Sequence, residues 1–325
     1  MDSDTATVRF VSRIELPALG NDSKRTNHSN RATGWILITR NTMTLIPAFK
    51  KDDALLADIA AAEQTDDRFH LWWLGQSGFL LQWAGRHLLF DPYLSDSLTE
   101  KYAGTDKPHT RLTERVIDPA RLNMVNVVTS SHNHTDHLDA VTLVSLFQAN
   151  PRLHMVLPAA NVEFARSRLS GLTPGMTGVN DGATIEVGGF QFTGVAAAHN
   201  DIARDPEGRC LYLGFIVRFG SFSVYHSGDT LWHDGLVEEL RAARPDVVMV
   251  PINGNRPERR VAGNLNGTGA AALAKACGAR LAIPHHFDMF AFNTESPAEF
   301  TTACQRLSQP FALLRAGERL TFLRS

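Results

Sequence analysis

Cysteine is scarce in this 325-residue chain: Cys210, Cys277 and Cys304 are the only three, far apart and odd in number. That excludes a disulfide framework and a paired-cysteine metal site, and points to reduced thiols in a cytosolic protein. Charge of one sign is equally lacking. Lys and Arg number 32 against 34 Asp and Glu, a formal net of −2, which supplies no electrostatic footprint for nucleic acid or an anionic membrane. No apolar run approaches the ~20 residues that a bilayer-spanning helix needs. The opening MDSDTATVRF has neither the basic nor the apolar part of a signal peptide. A cytoplasmic protein is expected, with no nucleic-acid partner and no integral membrane segment, and with homo-oligomerisation left open. Motifs for nucleophilic or nucleotide chemistry are missing too: there is no G-x-S-x-G elbow and no P-loop, and Cys210 has no histidine partner nearby in sequence.

What is present divides unevenly. Residues 1–42 include the polar, turn-rich LGNDSKRTNHSNRATG and are expected to be a disordered N-terminal extension, with Met43 a candidate true start. Residues 43–67 hold KDDALLADIAAAEQ, which reads as a short amphipathic helix capped by Asp52 or Asp53. From residue 68 to 325 one domain is expected. FHLWWLG, GFLLQWAG and RHLLFDPYL suggest an antiparallel meander, and two hairpin-like stretches follow after residue 180. Strand–helix units come both before and after those hairpins, with helices expected at 235–243, 268–277 and 297–307. Strand-rich and strand–helix portions alternate twice, so a two-sheet α/β sandwich is favoured over a single doubly wound sheet.

Chemistry collects where the apolar strands end. After VNVVTS comes SHNHTDHLD, with His132, His134, Asp136 and His137; after FQFTGVAAA comes His199; after SFSVY comes HSGDT with Asp229; after RLAI comes PHHFD with His285 and His286. Carboxyl ends of strands are where α/β sheets carry sites. Imidazole and carboxylate are donors that suit zinc, manganese or iron. By contrast His70, His87, His109 and His154 stand alone and read as ordinary core or surface residues.

HNHTDHLD matches the H-x-H-x-D-H signature of the metallo-β-lactamase superfamily, and His199, Asp229 and His286 follow in the order of its remaining ligands. FHLWWLG, YHSGDT and IPHHFD further resemble the subgroup containing the L-ascorbate-6-phosphate lactonases. The opening SHNH is also similar to N-acyl-phosphatidylethanolamine phospholipase D. The resemblance covers roughly residues 68–310. It implies a four-layer αββα sandwich and two divalent ions, zinc or manganese before iron. His132, His134 and His199 would hold the first, Asp136, His137 and His286 the second, and Asp229 would bridge them. Its Pro-x-His pattern selects His286 over His285. It also implies that Asp91, in LLFDPYL, hydrogen-bonds a metal-bound histidine, although an Asp before Pro92 also suits a plain turn cap. The lactonase pattern lacks a clear histidine at the position of His199, so the binuclear set here is closer to that of the wider superfamily. Histidine at 134 favours hydrolysis; the redox di-iron branch would have glutamate there.

Function follows as a metal-dependent hydrolase using a metal-bound hydroxide on a small anionic ester, foremost a sugar-phosphate-like lactone. Asp136 and Asp229 are its candidate catalytic carboxylates, Asp136 with a part in proton transfer. The alternatives are a phosphodiesterase, lipid phosphodiesters included, and a non-catalytic metal sensor or scaffold. For the substrate, PINGNRPERRVAGNLNGTG offers Asn253, Arg256, Arg259 and Arg260 in one loop, or else a merely solvated one. Gln76 points into the site or belongs to a turn. Trp232, Phe287, Phe290 and Phe292 wall a pocket or fill the core.

Overall fold

The computed structural model describes residues 44–169, 171–172 and 174–323. The 1–42 extension and Met43 therefore lie outside the described residues. In chain order the first half holds α1 (Asp52–Ala60), β1 (Arg68–Gly75), β2 (Gly78–Trp83), β3 (Arg86–Phe90), α2 (Ser97–Lys101), β4 (Val127–Thr129), α3 (Ala140–Ala149), β5 (His154–Pro158), α4 (Val162–Arg168) and β6 (Gly175–Val179). The second half holds β7 (Thr184–Val187), β8 (Phe190–Ala196), β9 (Leu213–Phe219), β10 (Phe222–His226), α5 (Leu236–Ala243), β11 (Val247–Pro251), α6 (Gly267–Cys277), β12 (Leu281–His285), α7 (Ala298–Leu307) and β13 (Arg319–Leu323).

Two sheets result, seven strands in the order β13-β1-β2-β3-β4-β5-β6 and six in the order β12-β11-β10-β9-β8-β7. The expected meander is there: β1, β2 and β3 pair antiparallel. Parallel pairing takes over from β3 to β6 and again from β10 to β12.

Period-two alternation then stacks the layers. Phe69, Leu71 and Trp73 of β1 point into the inner core against the second sheet, while Trp72 and Leu74 point outward to a separate cluster. That outer cluster contains Leu55 and Ile59 of α1, Leu143 and Leu146 of α3 and Ala165 of α4. Helices α5, α6 and α7 cover the other sheet through Leu240, Leu273 and Phe300. With both faces of the central strands of both sheets buried, the architecture is the four-layer αββα sandwich of the metallo-β-lactamase fold. A cluster of Phe69, Phe219, Phe222 and Phe322 ties the sheets together, with Phe69 between 5.2 and 5.4 Å from each of the others. Each such fully buried ring contributes about 1.5–3 kcal/mol by area.

Local details depart from expectation in two places. Asp52 and Asp53 are not caps: Lys51 is the N-cap of α1 and no side chain caps that end. Both aspartates instead face Arg121 across an exposed surface, a partner 68 residues away that no local pattern shows. Secondly, α2, β6 and β13 were not anticipated; β6 is glycine-bearing and only partly buried, and so lacks a strand's apolar signature. Among the described residues no helix is long and apolar enough to cross a membrane.

Candidate metal centre

The stretch SHNHTDHLD is the connection between β4 and α3. β4 has three residues, all buried, and delivers Ser130 and Ser131 to the carboxyl edge of the first sheet. Ser130 Oγ donates to the carbonyl of His132 at 2.7 Å. The amides of His137 and Leu138 both donate to the carbonyl of His134, closing a single tight turn. That turn sets the rings of both His134 and His137 beside His132, with centroids 4.6 and 4.1 Å away. Asp139 closes the segment as N-cap of α3, accepting from the Thr142 amide at 3.2 Å.

Other strand ends of the opposite sheet complete the cluster. His199 follows β8, Asp229 follows β10 and His286 follows β12. Three donor sets form: His132, His134 and His199; His132, His137 and Asp229; Asp136, His137 and His286. Within each, the donor atoms lie within 4.8 Å of one another. Asp229 reaches both sides, with Oδ1 3.3 Å from His137 Nε2 and Oδ2 3.7 Å from His199 Nε2 and 3.3 Å from His286 Nε2. Asp136 Oδ2 lies 3.4 Å from His286 Nε2.

Three of the donor atoms are buried and unpaired, which is the test of whether metal ions fit here. Nε2 of His132, Nε2 of His137 and Oδ1 of Asp229 have no hydrogen-bond partner although they are shielded from solvent, a costly arrangement unless a cation satisfies them. Charge says the same. Burial disfavours the carboxylates of Asp229 and Asp136, yet the neighbouring His137 and His286 outweigh it and hold both well below the usual range. In turn, burial opposes protonation of His286, but Asp229 and Asp136 push it up to about 9. His137 is raised well above its ordinary value for the same reason. Burial and then the charge of His137 drive His132 well below. Two buried carboxylates thus demand positive charge, and divalent ions would supply it in place of those protons. The nitrogen and oxygen donor set suits zinc, manganese or iron.

Supporting contacts set the rings. Asp91, fully buried at the end of β3, accepts from His137 Nδ1 at 2.8 Å and from the Ser131 amide at 3.1 Å. Thr129 Oγ1 donates to it at 2.7 Å. His199 Nδ1 donates to the Gly263 carbonyl at 2.9 Å. Each bond fixes the tautomer that leaves Nε2 bare towards the cluster. Gly228 lets the two sheets' loops meet: a Cβ there would lie 2.5 Å from Ser131 Cβ, and its φ is +57°. Gln76 does point inward, its Nε2 donating to Asp136 Oδ2 at 2.8 Å. Of the paired histidines, His286 joins the cluster with a φ of 64°. His285 turns away to Ser77 Oγ at 3.2 Å and stacks on His226.

The loop residues expected to meet an anionic substrate are otherwise engaged. Arg256 pairs with Glu295 at 2.7 Å, Arg259 pairs with the same carboxylate, and Arg260 pairs with Asp106. Asn253 is fully buried between Asn264 and Asn293. Among the described residues no hydrogen bond or ion pair joins these four to the donor cluster. The carboxylates that neutralise the arginines lie elsewhere in the chain, out of reach of a local reading. Of the aromatics, Phe287 is buried and stacked on Trp73 at 4.5 Å, Phe290 is buried, and Trp232 is exposed. One residue beside the cluster had no sequence signal at all: Tyr212, whose ring lies 5.1, 5.9 and 5.5 Å from those of His132, His134 and His199.

Comparison with known proteins agrees with this geometry. The model of the beta-lactamase superfamily domain matches residues 86–287. A UPF0173 metal-dependent hydrolase of Methanoregula boonei is 32% identical over 258 residues, covering 77% of this chain and 97% of that protein. Among solved structures, a metallo hydrolase of Ignicoccus hospitalis superposes with a TM-score of 0.59 at 18% identity, over 79% of this chain and all of the other. An isothiocyanate hydrolase from Delia radicum gut bacteria gives 0.61 at 18% identity, over 78% and 99%. With the family model spanning most of the chain and a near full-length relative above 30% identity, the chain belongs to the beta-lactamase superfamily, among its metal-dependent hydrolases.

Proposed function

We propose that the chain is a two-metal hydrolase that opens a small anionic ester, a lactone in preference to a phosphodiester. His132, His134 and His199 hold one divalent ion, zinc or manganese; Asp136, His137 and His286 hold the other; Asp229 reaches both. The observation that carries this reading is the convergence of buried, unpartnered atoms of His132, His137 and Asp229 on the space shared by three interlocking donor sets.

Ions bound there would lower the pKa of coordinated water towards neutrality and polarise the oxygen under attack. The remaining work is done by the chain itself. Asp91 and the Gly263 carbonyl hold the rings of His137 and His199 so that no reorientation accompanies reaction. Asp136 is the more exposed carboxylate, its side chain 17% accessible against 4% for Asp229. It is therefore the one placed to hand a proton between attacking water and solvent, with Gln76 fixing its orientation. Asn253, Arg256, Arg259 and Arg260 contribute by bracing the loop that ends at Gly263.

A panel of lactones and phosphodiesters, assayed with Mn²⁺ and Zn²⁺, tests the reading. Lactone turnover that falls at least 10³-fold in the His132→Ala/His134→Ala double variant is the expected outcome. Turnover unchanged in that variant would sink it.

A further inference from the structure

Of the proposed ligands His132, His137, His199, Asp229 and His286 are buried, whereas His134 and Asp136 are half-buried. The turn that carries those two, with Asn133 also half-buried, is therefore the side from which a substrate reaches the cluster. Helix α4 flanks that side and is stitched to it at both ends. Asn161, just before the helix, donates from Nδ2 to the Leu211 carbonyl at 2.8 Å. The next residue is Tyr212, whose ring meets those of His132, His134 and His199. Arg168, the last residue of α4, donates from Nη2 to Thr135 Oγ1 at 2.8 Å. Thr135 lies between His134 and Asp136 in the turn itself.

The guanidinium held there has no counter-charge. Among the described residues it forms no ion pair, and Thr135 Oγ1 is its one hydrogen-bond acceptor. It lies over the Phe164 ring, 5.8 Å from the centroid, one turn earlier on the same helix face. These two contacts orient the planar fork and leave most of its N–H groups unused. Arginines that serve as braces in this chain look different. Arg111 is committed to the Asp96 carboxylate and to the carbonyls of Ser95 and Thr113, and Arg256 and Arg259 are committed to Glu295. A half-buried, uncompensated guanidinium tethered to the entrance of a site is suited to a ligand's paired anionic oxygens.

We propose that Arg168 is the anion-binding subsite of this centre, receiving a carboxylate or phosphate that the substrate carries away from the bond being cleaved. The inference rests on the hydrolytic reading above and names the residue that selects for the substrate's charge. A contact to a group that does not react is made equally in the ground state and the transition state, so it acts on KM and leaves kcat unchanged.

The test compares wild type, Arg168→Gln and Arg168→Lys on γ-butyrolactone and on paraconate, the same ring bearing a carboxylate. In Arg168→Gln, kcat/KM for paraconate is expected to fall at least about 10-fold through KM, while γ-butyrolactone changes less than about 2-fold, with metal content as in the wild type. Arg168→Lys, which keeps the charge without the fork, is expected between the two. Raising NaCl from about 0.02 to about 0.3 M should raise the wild-type KM for paraconate and spare that for γ-butyrolactone. Equal losses on both lactones would make Arg168 a brace of the ligand turn and overturn the assignment. A wild type with no preference for the carboxylated ring, or an Arg168→Gln variant with no loss, overturns it too. Wild-type protein inactive on both lactones contradicts the proposed function, and calorimetric titration with paraconate then decides this inference by itself. A Kd at least about 10-fold weaker in Arg168→Gln supports it; equal or absent binding overturns it.

Discussion

Asp91 shows how much one carboxylate is asked to do. With no solvent exposure and a φ of 37°, it takes hydrogen bonds from Thr129, Ser131 and His137. It thereby couples the backbone of the ligand loop to the ring of a proposed ligand. Asp91→Asn is expected to lower metal affinity about 10–100-fold in chelator competition; affinity equal to the wild type would leave Asp91 a turn cap only. His87 tests a different side chain, buried on the outer face of the first sheet with Nε2 unpartnered. Burial pulls it down to about 4. Between that value and the ordinary 6.5, the unfolded chain binds a proton that the folded one refuses. Its stability is therefore whole above pH 6.5 and declines as pH falls towards 4. Denaturant midpoints at pH 7.5 and 4.5 should show His87→Phe losing about 2 kcal/mol less than wild type over that interval, and parallel losses would contradict it. The contiguous donors of HNHTDH were legible because they sit in one loop. Tyr212 was not, because only tertiary packing brings it to the centre.

Strands and helices with a strong apolar pattern were legible in the same way. Helices expected at 235–243, 268–277 and 297–307 are α5, α6 and α7 to within one residue at each end. β13 was missed because its partner β1 lies some 250 positions earlier, and a five-residue run with two charged or polar members carries little signal alone. Yet that strand closes the edge of the seven-stranded sheet and places Phe322 flat against Phe69, centroids 5.2 Å apart. Phe322→Ala is expected to cost about 3–5 kcal/mol in chemical denaturation. A loss below about 1 kcal/mol would mean that β13 is not integral to the sheet.

For the whole molecule, the decisive property is that no single sheet contains the centre. β3 and β4 bring Asp91 and the loop from His132 to His137; β8, β10 and β12 bring His199, Asp229 and His286 from the opposite sheet. The donors therefore meet only when the inner core has packed, and bound ions would favour that packed state by about 2.7 kcal/mol at a hundred times their Kd. Sequence reading could name the donors and their order through a family resemblance. It could not show that Oδ1 and Oδ2 of Asp229 face different histidines, which is a matter of how the sheets are set against each other. Metal analysis of purified protein, wild type beside His132→Ala/His134→Ala and Asp229→Ala, is the measurement to make. About two divalent ions per wild-type chain, falling to about one or fewer in the double variant and to near none in Asp229→Ala, is the predicted result; equal metal content in all three proteins would contradict it.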